Sequence, residues 1–330
     1  MLPAITTEAK IIERLRRIAT APEARGLLDD VAVLDGLVVT HDSIAESVHF
    51  LPNDPPASVG WKLVAVNLSD LAAKGAKPVA GLLSLTISGS GEWEEGFISG
   101  LEAACESYGL PLVGGDTISL PTGSPRVLGM TAIGRAGRNV PSRAGAQAGD
   151  ALWIVGTLGD SSAGLALLRA DSKSTGPLVD IFRRPVPQLG AGQALAPAAH
   201  AMMDVSDGLL LDARRMAQAS GCRITIDLDA LPLSRAFIAE RGQDRSARLF
   251  AATGGDDYAL LAAMPPELDP STLSLPHGTK ISRIGSLTAG EVSLSLSSGG
   301  EPVELPKVLG FEHQADDDRG HSTPPIADRT

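Results

Sequence analysis

Aspartate recurs in this chain beside glycine, serine or a second aspartate, close to short apolar runs, in six separated places. These are Leu28-Asp29-Asp30, His41-Asp42, Leu68-Ser69-Asp70, Gly114-Gly115-Asp116, Asp204-Val205-Ser206-Asp207-Gly208 and Gly254-Gly255-Asp256-Asp257. A single such segment reads as a plain turn, since Asp-Gly and Gly-Asp pairs are ordinary turn formers. Six of them constrain the fold more strongly, because most end an apolar run and a fold that brings the run ends together gathers the carboxylates. Hard divalent cations take oxygen ligands, and Mg²⁺ is held by a few carboxylates together with substrate phosphates. Aspartates spread over several loops therefore suit a magnesium and nucleotide-phosphate site.

The pattern between these segments alternates helix and strand. Thr7-Glu8 opens an amphipathic helix with Ile11, Ile12, Leu15 and Ile18 at helical spacing. The runs 31–34 and 37–40 flank Asp35-Gly36, a type I′ hairpin signal, so Asp30 and Asp42 are expected at the outer ends of two paired strands. Pro55-Pro56 starts a helix through Val59, Leu63, Val66 and Leu71 that ends at Gly75, with Asp70 near its C-terminus. A strand over 79–88, a helix over 96–108, a strand over 110–113 running into the Gly114-Gly115 turn and a strand over 127–135 follow. The Gly-rich stretch 136–150 is the best domain boundary. Beyond it come a strand over 151–156, a helix from Ala163, a helix after Gly208, and strands over 224–228 and 258–263. Residues after Gln314 are polar and read as a disordered tail.

Length and charge exclude several classes. At 330 residues the chain has room for two domains. A net charge of -11 with no basic stripe argues against nucleic-acid binding, where Lys and Arg neutralise phosphates. No stretch reaches the roughly 18 apolar residues of a spanning helix, so no membrane partner is expected. Cys105 and Cys222 belong to no CxxC or Cys/His cluster, which points to a reducing, cytoplasmic setting. The phosphate-loop, dinucleotide-binding, protein-kinase and His-Glu-x-x-His signatures are all absent.

Individual segments support different chemistries. Asp204 and Asp207 on a loop-to-helix turn can face one metal cluster; equally, Ser206 or Asp207 can cap the helix. Asp70 near a helix C-terminus opposes the macrodipole, and a bound cation explains that placement. The glycines of Gly114-Gly115-Asp116 permit close approach to a polyphosphate or form a tight turn. The helix start after Gly156 can receive a phosphate. His49, beside Phe50, is either a substrate contact or an edge histidine.

Taken together, Asp29 to Leu34, Asp42 with Val48-His49-Phe50, Val66 to Ala73, Gly114 to Thr117, Arg143 in Ser-Arg-Ala-Gly, Asp204 to Leu209 and Gly255 to Leu260 resemble the thiamine-monophosphate kinase family. That family lies within the superfamily of aminoimidazole-ribonucleotide synthetase and selenophosphate synthetase, and the resemblance covers roughly residues 27 to 312. It implies an α/β fold of two domains. An N-terminal mixed-sheet domain (1–138) dimerises through its sheet, a C-terminal α/β domain (139–312) closes over ATP, and 313–330 form the tail. It implies transfer of the ATP γ-phosphoryl group to thiamine monophosphate in a homodimer that binds Mg²⁺. By motif, Asp30, Thr40, Asp42, Asp70, Asp116, Asp204 and Asp207 would bind magnesium, with Asp42, Asp70 and Asp207 as catalytic carboxylates. Gly115, Asp116, Arg143 and Ser206 would face ATP, and His49, Asp256 and Phe311 the thiamine substrate. The chain departs from the family pattern at His41, in place of Ser or Thr, and at Asp256, in place of Glu. An aminoimidazole-ribonucleotide synthetase-like activity and a catalytically silent nucleotide-binding paralogue are the competing readings. The retained motif aspartates argue against the silent one.

Overall fold

The Asp35-Gly36 hairpin organises the first sheet. In the computed structural model, which describes residues 7–89 and 91–312, β1 (Ala32–Leu34) pairs antiparallel with β2 (Leu37–Ala45), Leu34 opposite Leu37. Asp35 and Gly36 both take positive φ, 46° and 77°, as a type I′ turn requires. α1 (Thr7–Arg16) precedes this hairpin, and β2 runs five residues past the expected end. The expected tail, 313–330, lies outside the described residues.

α2 (Pro56–Ala73) follows, with proline in its first turn, where a missing N–H costs nothing. Fifteen of its residues are buried, Asn67, Ser69 and Asp70 among them, so it is a central helix rather than a surface one. β3 (Lys77–Ile87), α3 (Glu92–Tyr108), β4 (Leu112–Ser119) and β5 (Val127–Arg135) complete this half. The sheet order is β1-β2-β5-β3-β4, antiparallel except for the β3–β4 pair. α2 and α3 pack closely: a Cβ at Gly100 would stand 1.8 Å from the Ala57 carbonyl oxygen.

One expectation is corrected here. Gly114-Gly115-Asp116 is not a turn at a strand end; the strand continues through it to Ser119. Its register against β3 sets Leu83 opposite Gly115 and Ser84 opposite Asp116. Gly115 holds φ at 154°, and a Cβ there would lie 2.0 Å from the Leu83 carbonyl oxygen, so the glycine serves strand approach instead of chain reversal.

The second half comprises β6 (Ala151–Val155), α4 (Asp160–Ala170), α5 (Pro177–Arg183), α6 (Leu189–Leu195), β7 (Ala201–Val205), α7 (Leu209–Ser220), β8 (Arg223–Asp227), α8 (Arg235–Arg241), α9 (Arg245–Thr253), β9 (Ala259–Met264), β10 (Ile281–Thr288), β11 (Ser293–Ser298) and β12 (Glu301–Val303). Its sheet runs β12-β11-β8-β10-β6-β9-β7. Each half has its own large apolar cluster. A third joins Ala72 and Ala73 of α2 to Val155, Leu195, Met202 and Leu260, so α2 serves both halves. Its C-terminal end is thereby set beside β7, which carries Asp204.

Candidate active site

Strand alternation decides which β2 side chains enter the site. Val38, Thr40 and Ile44 are buried and Asp42 is half-buried on the face toward α2, while His41 and Ser43 are exposed. The Asn67 amide of α2 clamps this strand: Asn67 Oδ1 accepts the Asp42 N–H at 2.9 Å, and Nδ2 donates to the Leu63 carbonyl at 2.9 Å. The Thr40 hydroxyl bonds the Asp70 carboxylate and lies 3.2 Å from the Asp30 carbonyl oxygen. His41 points away, its Nδ1 2.9 Å from the Thr131 hydroxyl.

β7 and the turn after it approach from the other half. The Ser69 hydroxyl donates to Asp204 Oδ2 at 2.7 Å. Carboxylate oxygens of Asp30, Asp70 and Asp204 all lie within 4.8 Å of one another. No side chain caps α7, so the capping alternative for Ser206 and Asp207 does not describe this turn. Instead, Arg215 pairs with Asp207 and, at 2.9 Å, with Asp212, whose other oxygen accepts the Asp207 N–H at 3.1 Å.

Electrostatics divides these carboxylates into two sets. Burial alone would raise Asp30, but Lys74 and Arg143 outweigh it and hold the group below the usual carboxylate range. Lys74 Nζ, fully buried, lies 2.7 Å from Asp30, 2.6 Å from Asp29 and 3.0 Å from the Met202 carbonyl. The other set has no resident cation. Burial, reinforced by neighbouring carboxylates, raises Asp42 to about 6, Asp204 to about 8 and Asp70 well above its ordinary value. Burial also lifts Asp212 to about 7 against the attraction of Arg215.

A cleft of about 570 Å³ opens from this cage, large enough for a small-molecule substrate. Asp42, Ser206 and Asp207 line it together with His49, Asp256, Tyr258 and Phe311. His49 Nδ1 accepts the Ala45 N–H at 3.0 Å, and Phe311 is tied by its N–H to the Asp207 carbonyl at 2.8 Å. Asp256 adopts φ 66°, with its N–H on the Ser206 carbonyl at 2.7 Å. Arg143 bonds Asp30, and its buried Nε has no hydrogen-bond partner among the described residues.

The structure thus brings together Asp30, Thr40, Asp42, Asp70, Asp204, Asp207, Arg143 and Ser206, with His49, Asp256 and Phe311 along the same cleft. Gly115 and Asp116 stand apart. The register runs Ser43, Gly129, Ser84, Asp116 across four strands, about 14 Å at the usual strand spacing. Sequence reasoning missed Lys62, Lys74, Arg215 and Asp212. A lysine inside an otherwise apolar helix, as in Trp61-Lys62-Leu63, was the available signal for the first.

Comparison with known proteins places the chain among enzymes of one kind. The AIR synthase related protein N-terminal domain matches residues 28–136, and the corresponding C-terminal domain matches residues 147–296. Thiamine-monophosphate kinase of Escherichia coli (strain K12) is 37% identical over 322 residues, covering 93% of this chain and 97% of that protein. That of Caulobacter vibrioides is 36% identical over 324 residues, covering 93% and 91%. Among solved structures, AaThiL complexed with AMPPCP and TMP superposes with a TM-score of 0.79 at 31% identity, covering 94% of this chain and 99% of that one. Thiamine-monophosphate kinase from Stenotrophomonas maltophilia K279a gives 0.72 at 34% identity, covering 89% and 96%.

Proposed function

The chain belongs to the thiamine-monophosphate kinase family, and we propose that it transfers the γ-phosphoryl group of ATP to thiamine monophosphate, giving thiamine diphosphate and ADP. The observation that carries this reading is the cleft in which Asp42 and Asp207, at the border of the carboxylate cage, face His49, Asp256 and Phe311.

Magnesium fits the residues present. The donor set is entirely oxygen, and three carboxylates converge within 4.8 Å with no resident cation on Asp70 or Asp204. Asp30, Thr40, Asp42, Asp70, Asp204 and Asp207 would hold Mg²⁺, Asp42, Asp70 and Asp207 being nearest the chemistry. The ion supplies charge neutralisation for two anionic reactants and alignment of the transferred group. Arg143, with its unpaired Nε, and Ser206 are assigned to ATP, while His49, Asp256 and Phe311 hold the acceptor.

No general base is required. A phosphate monoester has its second pKa near 6, so the attacking oxygen is already largely ionised at neutral pH. The protein's work is to exclude water, orient the acceptor phosphate in line with the γ-phosphorus, and hold donors where charge develops.

Gly115 and Asp116 enter this reading through a homodimer. β4 is exposed along its whole length, and Leu112, Val113 and Ile118 leave apolar surface on an edge strand that a second copy can cover. The partner's β4 would then bring the Gly-Gly-Asp segment in its middle to the ATP site. Residues 1–138 and 139–312 are read as the two domains, and a cytoplasmic location accords with the two free thiols. Among the described residues no helix is long and apolar enough to cross a membrane.

A substrate panel tests the reading. ADP release from ATP is expected with thiamine monophosphate, not with thiamine or aminoimidazole-type acceptors, and is expected to vanish in excess EDTA. Turnover that survives EDTA, or a preference for another acceptor, would overturn it.

A further inference from the structure

We infer that Lys62 positions Asp256 for the acceptor, and that the Lys62–Asp256 pair reads a neutral hydrogen-bond donor, the exocyclic amino group of the thiamine pyrimidine ring. The inference rests on the acceptor assignment above. Lys62 lies on α2 and Asp256 in the loop before β9, so the pair links residues 194 positions apart.

Lys62 is one of the largest fully buried side chains of the molecule, its side chain 2% exposed. Its ammonium donates to Asp256 Oδ2 at 2.8 Å and to the His49 carbonyl at 2.8 Å, and lies 4.1 Å from the centre of the Phe182 ring. Tyr258 donates its hydroxyl to the other oxygen, Oδ1, at 3.0 Å. Both carboxylate oxygens therefore have a fixed donor, and each keeps a free lone pair. The carboxylate itself is 25% exposed, and Asp256 lines the cleft.

This arrangement decides what Asp256 recognises. A lone carboxylate in a half-buried cleft attracts cations and would favour the thiazolium ring. A carboxylate paired at 2.8 Å with a buried ammonium has little net charge left to offer, but its directed lone pairs remain. It then selects a neutral N–H donor, and the pyrimidine amino group is the one thiamine monophosphate provides. Sites built to bond such a donor reject analogues that lack it far more strongly than apolar contacts reject a missing methylene.

Helix geometry gives the pair a second use. Lys62 and Asp70 share α2, eight residues apart, a rise of about 12 Å. One rigid element thus sets both the anchor for the acceptor's ring and a carboxylate of the phosphoryl-transfer cage, and Val66, which lines the cleft, lies between them.

The test compares the full-length protein with Lys62→Met, Asp256→Asn, the double variant and Tyr258→Phe, using thiamine monophosphate and its analogue carrying a carbonyl oxygen in place of the amino group. Lys62→Met is expected to raise KM for thiamine monophosphate about 10-fold or more while leaving KM for ATP and kcat close to wild type. The preference for the amino over the carbonyl acceptor should collapse in that variant. Because Lys62 acts through Asp256, the double variant should be little worse than Asp256→Asn alone. Additive losses, a matching rise in KM for ATP, or an unchanged acceptor preference would overturn the assignment. Should Lys62→Met fail to fold, Tyr258→Phe decides. It removes only the bond to Oδ1 and should weaken thiamine monophosphate selectively; unchanged KM and selectivity would count against the pair. If wild type turns over neither acceptor, the kinase reading fails by itself. Calorimetric binding of the two compounds to the same variants then still reads the pair, and equal affinities in wild type would reject it.

Discussion

Asp70, buried behind the cleft, and Asp256, which lines it, differ in what surrounds them. Asp70 is buried near the C-terminal end of α2, touched by the Thr40 hydroxyl and close to Asp30 and Asp204. Asp70→Asn should lower kcat about 100-fold or more with any acceptor, since a lost electrostatic contribution in phosphoryl transfer is of that order. Asp256→Asn should instead raise KM for thiamine monophosphate and leave KM for ATP unchanged. Steady-state kinetics on both variants, with folding checked by thermal melts, decides between this division and a purely structural role. Asn adopts the left-handed backbone well, so a turn-forming Asp256 at φ 66° would make the substitution silent. The unfavourable dipole position of Asp70 was readable in the sequence, and so was the hairpin that links the Asp30 and Asp42 segments, although Asp42 lies inside β2, which continues to Ala45. The partners that set Asp30 apart, Lys74 and Arg143, were not, because 44 and 113 residues separate them from it.

At the level of elements, β4 carries the largest departure from expectation. Two glycines and an aspartate after an apolar run look like a turn in one dimension, yet the parallel pairing with β3 keeps the strand extended through them. Strand continuity was invisible because it depends on how near Leu83 comes, a contact between strands separated by α3. The consequence is an edge strand whose Asp116 lies about 14 Å across the sheet from Ser43, the neighbour of Asp42. Light scattering should give a mass of twice 34.0 kDa at working concentration. If a partner supplies Asp116, mixing inactive Asp70→Asn and Asp116→Asn proteins should restore part of the activity through hybrid dimers with one intact site. A mass of 34.0 kDa, or mixed proteins as inactive as each alone, would contradict the shared site.

For the whole molecule, the cage should couple stability to pH and, if it holds the proposed cation, to magnesium. Asp42, Asp70 and Asp204 bind protons more tightly folded than unfolded, since burial and their neighbours raise all three from 3.8. The stability they contribute is complete below the unfolded value and is lost as pH rises through about 6 for Asp42 and about 8 for Asp204. Asp30 is shifted the other way, below 3.8, so it is constant across that window. The cation-free protein should therefore lose thermal midpoint between about pH 6 and pH 8, and Mg²⁺ should raise the midpoint more at the upper end, where it no longer competes with protons. Calorimetric scans with and without Mg²⁺ measure this; a magnesium effect larger at the lower pH would refute it.

Local chemistry fixed much of this molecule before any long-range contact was known. The hairpin at Asp35-Gly36 and the start of α2 at its prolines each follow from a few neighbouring residues, and the spaced aspartate segments already pointed to an oxygen-ligand cage. Tertiary structure alone decided which charges meet. Lys62 finds Asp256, Lys74 finds Asp30, and Ser69 finds Asp204 only because α2 is wedged between two sheets whose strands come from opposite halves of the chain. Charge energies depend on separation and burial, and both are set by packing between residues far apart in sequence.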